Sequence, residues 1–263
     1  MKEIFTVWKE TKNVMLIAVS AAVYAASLIP FKPLVIIPGS TEIRPGAVFP
    51  VILGLLFGPA GAWGSAIGNT IADIFGMFGP GTIPGFIGNF FYAYVPFKLW
   101  NRLGIFAGSN SPDFKRKNDI AQFVFVAILG SLICALLIGW GMELMGLMPF
   151  AALGVIIMLN NTIVSLVLGP FLVSGLFARI RRWGLIYDDF AKRKALISLR
   201  IRIGVLLVLI GILGGMTAGL TISTGFYSLP LGLASVSEST GGLGVIAGVF
   251  PFIAIFLAGI ALL

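Results

Sequence analysis

Asn69 and Asp73 are the side chains best placed to do chemistry, because they interrupt a stretch, Gly61 to Gly76, that is otherwise apolar enough to lie inside a bilayer. A carboxylate there is costly: desolvating a charge takes several kcal/mol even after relaxation, so an intramembrane Asp implies a function and a partner. The two residues are four apart and share one face of a helix, with Asn69 near mid-membrane and Asp73 one turn closer to the outside. Together they could line a cavity that hydrogen-bonds a polar ligand or balances a cationic one.

Further polar groups fall at similar depth. Asn89 lies roughly 9 Å down its own helix at 1.5 Å per residue, with Tyr92 on the same face three positions on. Asn160, Asn161 and Thr162 enter from the same side on a later helix. The segment from Phe31 to Arg44 adds Lys32, Glu42 and Arg44 beside the entrance and reads as a lid. A blander reading stands beside this one: an intramembrane Asn also serves simply to bond a neighbouring helix, and Arg44 could pair with Glu42 or Asp73 to fix the loop.

The elements that must position these groups are transmembrane helices. Of 263 residues, 58% are hydrophobic and 11% charged, against about 25% charged in a soluble domain. Apolar runs punctuated by Gly, Pro and charge give eight spans, at 13–30, 45–58, 60–78, 83–100, 120–140, 150–178, 203–222 and 243–263, each judged against the roughly 20 residues a crossing needs. No segment remains for a separate soluble core, so residues 1–263 read as one integral membrane domain. Pro45 and Pro59 bracket the short second span, and each suits a first helical turn. A break at Gly58-Pro59 is the natural reading, with a single kinked helix as its competitor.

Of the 18 basic residues, all but Lys32 and Arg44 fall on one side when the N-terminus is placed in the cytoplasm. The positive-inside rule thus supports eight spans, with both termini cytoplasmic and the chain in the plasma membrane. The basic leader before Val14 imitates a signal peptide, but Glu3 and Glu10 within it argue for a retained helix. The net charge of +8 reports topology rather than nucleic-acid binding, since it is dispersed in short clusters between apolar runs.

Several chemistries are excluded. The chain has no histidine and one cysteine, Cys134, which removes Cys/His zinc clusters and the commonest general base. No metal ligand set and no cofactor site is expected. There is no Gly-x-x-x-x-Gly-Lys-Ser/Thr loop, so ATP hydrolysis by that route must be supplied by another protein. Two alternatives to ligand capture remain. One is a stand-alone secondary transporter driven by a proton or sodium gradient, with Asp73 as relay. The other is a membrane enzyme using Asp73 and Glu143, disfavoured because these sit at ends of different spans whereas acid–base pairs need hydrogen-bonding reach.

Ala18, Ala22 and Ala26 recur every four residues and make one flank of the first span smooth enough for close helix approach. With the turn Leu56-Phe57-Gly58-Pro59-Ala60-Gly61-Ala62 and the Gly-x-x-x-Asp pattern ending at Asp73, this face resembles the substrate-binding (S) components of energy-coupling factor transporters. The resemblance covers about residues 13–180 and implies an all-α polytopic membrane bundle with a six-helix core. Residues 203–263 would then be an additional pair of C-terminal helices. It further implies capture of a small micronutrient, a vitamin or heterocyclic precursor, beneath the loop from Lys32 to Arg44. Asp73, Asn69, Asn89 and Asn160 would hold the ligand, Tyr92 would stack on it, and Glu42 and Arg44 would close over it. The alanine face would dock on a transmembrane coupling subunit driven by two ATPase subunits. The family's nickel and cobalt members rely on an N-terminal histidine, absent here, so metal import is disfavoured.

Overall fold

The computed structural model describes residues 2–37, 41–42, 44–76, 78–103, 111–187, 198–226 and 242–263. The chain is an all-α polytopic membrane bundle. Its helices are α1 (Lys2–Thr6), α2 (Thr11–Leu28), α3 (Val48–Phe57), α4 (Pro59–Ile74), α5 (Thr82–Leu99), α6 (Lys117–Leu144), α7 (Phe150–Arg182), α8 (Leu199–Ser223) and α9 (Gly242–Leu262). Short 3-10 turns extend α2 through Ile29–Phe31 and lead into α3 over Pro45–Ala47. A two-stranded antiparallel ribbon, β1 (Val35–Ile37) with β2 (Thr41–Glu42), bridges α2 and α3, with Val35 opposite Glu42. Among the described residues, five helices, counting Ile29–Phe31 with α2, are long and apolar enough to cross a membrane alone: α2, α6, α7, α8 and α9.

All eight apolar spans appear as separate helices, and the break between α3 and α4 falls at Gly58. There φ is 57° and ψ is −128°, a region open to essentially no residue with a Cβ. Pro59 then occupies the first helical turn, where its missing N–H removes no hydrogen bond. The reversal is a true hairpin: Arg44 at the head of α3 bonds Asn69 near the tail of α4. Tyr187, beyond α7, closes the turn from outside by donating its N–H to Leu56 O at 2.9 Å and setting its ring edge-on to Phe97 at 5.2 Å.

Small residues decide which helices touch. A Cβ on Gly64 would come within 2.3 Å of the Ser20 Cβ, and one on Gly68 within 2.7 Å of Ala21 O. So α2 and α4 pack nearly backbone to backbone, with Ala21 and Ala25 buried between them. Ala18, Ala22 and Ala26 lie on the opposite, exposed flank of α2. The same device joins the last two helices, where a Cβ on Gly211 would meet the Phe256 backbone and one on Gly259 the Val208 N, each at 2.7 Å. This α8–α9 hairpin leans on α6 through Gly215 against Leu136.

Hydrogen bonds sort the helix ends into two sets. At one end Lys12 Nζ donates to Gly184 O, and Arg102 to the backbone O of Leu263. There too Glu3 pairs with Lys98 and accepts a hydrogen bond from the Tyr94 hydroxyl at 2.8 Å. Burial alone would push the Glu3 carboxyl up, but Lys98, the backbone and Tyr94 together hold it down at about 2. At the opposite end Glu143 accepts from Phe150 N at the start of α7 and from Gly242 N at the start of α9. Glu143 is therefore a double N-terminal cap, where a carboxylate meets two helix dipoles.

Candidate functional site

The end of the bundle that carries Glu143 also holds a buried polar network built from α2, α4, α5 and the segment between α2 and α3. Asp73 sits in the last turn of α4, and its Oδ1 accepts a hydrogen bond from Lys32 Nζ at 2.8 Å. The two side chains are only 5% and 11% exposed, which makes this a buried ion pair. One turn deeper, Asn69 donates Nδ2–H to Asp73 Oδ2 at 3.0 Å and accepts from Arg44 at Oδ1, 2.5 Å away. Lys32, Asp73, Asn69 and Arg44 thus form one continuous chain of contacts along the top of α4.

A second group lies on the facing helix. Asn89 of α5 accepts from the Tyr24 hydroxyl at 2.7 Å and donates to Gly85 O at 2.8 Å. Gly85 is what brings α5 close: a Cβ there would stand 3.0 Å from Asn69 Nδ2 and 3.8 Å from Asp73 Oδ2. Deeper still, the buried Tyr92 hydroxyl meets Ser165 Oγ at 2.7 Å and donates to Asn161 O at 3.1 Å. Tyr92 therefore ties α5 to α7, with Ser131 of α6 at 3.5 Å.

Arg44, Asn69, Asp73 and Asn89 are all buried at this end of the bundle, and Tyr92 lies at its floor. Asn160 is only half-buried on α7, whereas its neighbour Asn161 turns fully inward. The Glu42 side chain lies outside the described residues; the Glu42 backbone is in the ribbon. Lys32, Tyr24 and Gly85 join the site although the residue pattern did not single them out as ligand contacts. For Lys32 a signal existed, since it and Arg44 are the two basic residues on this side. For Gly85 the cue was its place four residues before Asn89.

In chemical terms the network offers an ammonium, a guanidinium, a carboxylate and two carboxamides within a few ångströms. A carboxamide both donates and accepts, and a carboxylate accepts at both of its oxygens. Such a set has the donors and acceptors to pair with the edge of a nitrogen heterocycle. Among the described residues, no group of three or more His, Cys, Asp or Glu is arranged to hold a metal ion.

Comparison with known proteins gives a family match. The family model for the QueT transporter aligns with residues 14–177, from the start of α2 nearly to the end of α7, leaving α8 and α9 outside it. No curated protein and no solved structure matches the chain. The match covers more than half of the 263 residues and includes the alanine face, the Gly58-Pro59 turn and Asp73. The chain belongs to the QueT transporter family, a family of S components of energy-coupling factor transporters.

Proposed function

We propose that this chain is the substrate-binding transmembrane subunit of an energy-coupling factor importer and captures a queuosine precursor, the substrate associated with its family. The observation that carries the reading is the buried Lys32–Asp73–Asn69–Arg44 network, to which the segment between α2 and α3 contributes Lys32 and Arg44. A precursor of a modified nucleoside carries a polar nitrogen heterocycle, and its N–H groups would replace Lys32 and Asn69 as donors to Asp73. Asn69 and Asn89 would read its ring edge, Arg44 would close behind it, Glu42 would stand at the rim, and Asn160 or its buried neighbour Asn161 would bound the far side.

The site opens outward in this account, with N- and C-termini in the cytoplasm of a plasma-membrane protein, because the basic ends of the helices lie opposite the site. Residues 13–180 act as the S-component core and residues 203–263 as an added hairpin within the single domain 1–263. The exposed face of Ala18, Ala22 and Ala26 is the docking surface for a coupling subunit that brings two ATPase subunits. A secondary carrier using Asp73 as a relay is less consistent with these contacts, since both carboxylate oxygens are already engaged, by Lys32 at 2.8 Å and by Asn69 at 3.0 Å.

Native mass spectrometry of the gently purified protein tests the proposal. A co-purifying heterocycle of precursor mass together with a coupling subunit supports it. Uptake by vesicles containing this chain alone, driven by a pH or sodium gradient, would replace it with the carrier reading.

A further inference from the structure

At the end of the bundle opposite the polar network, a cavity of about 360 Å³ lies between the segment leading into α6 and the last turns of α7. Its lining is Asp113, Lys115, Ser174, Phe177, Arg181 and Arg182, with Ala178 between them. Three cations thus face one carboxylate. Asp113 is already engaged: its Oδ1 accepts from Lys115 N at 3.3 Å, and its Oδ2 lies 3.8 Å from Lys115 Nζ. The Arg181 guanidinium is held over the Phe177 ring, 6.0 Å from its centroid, which orders the arginine without neutralising it.

Basic residues at a helix C-terminus complement the helix dipole, and that alone would explain Arg181 and Arg182. It does not explain Lys115, which reaches the same cavity from a different element. Nor does it explain the depth. With 33 residues, α7 is about 50 Å long, while the hydrocarbon core is about 30 Å thick. Starting from Phe150, Ser174 lies about 36 Å along the axis, within the inner headgroup layer of a bilayer about 40–45 Å thick, and Arg182 about 48 Å along it, just past that layer and within reach of it by a long side chain. Trp183, 69% exposed, marks the same level as an interfacial aromatic.

The face of α7 that leads to the cavity is apolar and exposed. Ile163, Val167 and Phe171 follow one another at four-residue spacing, and Ser174 and Ala178 continue the row into the cavity. An anion that docked there would have a track for hydrocarbon chains directly beneath it. We infer that the α6–α7 cavity is a binding site for the phosphate of an anionic phospholipid, with Lys115, Arg181 and Arg182 as its cationic ligands and the Ile163–Val167–Phe171 row carrying the acyl chains. Ser174 adds a hydroxyl donor. The site would anchor the long helix α7 at a fixed depth, independently of what the opposite polar network binds.

The test uses the full chain in detergent, titrated with palmitoyl-oleoyl phosphatidylglycerol and separately with the matching phosphatidylcholine, with bound lipid counted by native mass spectrometry. Wild-type protein retains the first lipid at least about tenfold more tightly than the second, and R181Q/R182Q loses that preference. R200Q/R202Q removes the same charge near the start of α8 and leaves the preference within about twofold. Lys115→Gln weakens it partway. Equal loss in R200Q/R202Q would reduce the effect to general surface charge and overturn the assignment. Displacement of the phosphatidylglycerol by inorganic phosphate at millimolar concentration would make it a free-anion site and also overturn it, as would equal retention of both lipids.

Discussion

Breaking the Lys32–Asp73 ion pair should have a large and diagnostic effect. Its atoms are 2.8 Å apart and the side chains are 5% and 11% exposed, so removing either partner leaves a charge in a site that excludes water. In comparable buried pairs this costs about 3–5 kcal/mol, whereas replacing both partners with well-packed apolar residues is often neutral or stabilising. At about 2–4 °C per kcal/mol for a chain of this size, Lys32→Met or Asp73→Leu alone should lower Tm by about 6–20 °C. The double variant K32M/D73L should recover most of that loss, where simple addition would require a cost near 6–10 kcal/mol. The assay is tryptophan fluorescence against temperature for the four proteins of the cycle in nanodiscs. Strictly additive single effects, or single variants within about 2 °C of wild type, would refute the reasoning. The same double variant separates folding from function, because it should be stable and yet bind no substrate.

The other predictions follow from specific contacts. Gly58→Ala places a Cβ at φ 57°, 3.0 Å from the Phe97 ring and the Tyr187 ring; it should destabilise by about 1–3 kcal/mol, read as a lower Tm. Gly68→Val wedges α2 from α4 and should prevent recovery of folded protein, judged by size-exclusion profile. Ala22→Leu on the exposed flank of the same helix should leave Tm unchanged while abolishing co-purification with a coupling subunit; retained co-purification would move the docking face elsewhere. Glu3, held near 2 in the folded chain against an ordinary value of 4.5, contributes stability that is fully present above pH 4.5 and is lost as pH falls toward 2. Glu3→Gln should therefore flatten the acid limb of Tm against pH in that window, while an unchanged acid limb would show that the Lys98 contact is not maintained.

Much of the fold was legible in the sequence because hydropathy and punctuation act locally. Eight apolar runs became eight helices, and Pro59 after Gly58 announced the break between α3 and α4. Contacts between distant residues were not legible in the same way. Arg44 meets Asn69 and Lys32 takes Asp73, and nothing local in the sequence says which of the two cations reaches which turn of α4. On α7 the choice between Asn160 and Asn161 is a rotation of about 100°, and a helix apolar on nearly all faces gives no periodicity to fix it. Glu143 read only as an acid at a span end, because the two helix N-termini it caps start 7 and 99 residues away.

The central claim is that the network around Asp73 is where a queuosine precursor binds. Titration calorimetry of the purified chain with free precursor bases, in the absence of any ATPase subunit, tests it most directly. The account predicts saturable one-to-one binding by wild type that weakens at least about tenfold in Asp73→Asn and in Asn89→Ala, the loss expected when a buried hydrogen bond to ligand is left unmade. Unchanged affinity in both variants would contradict it.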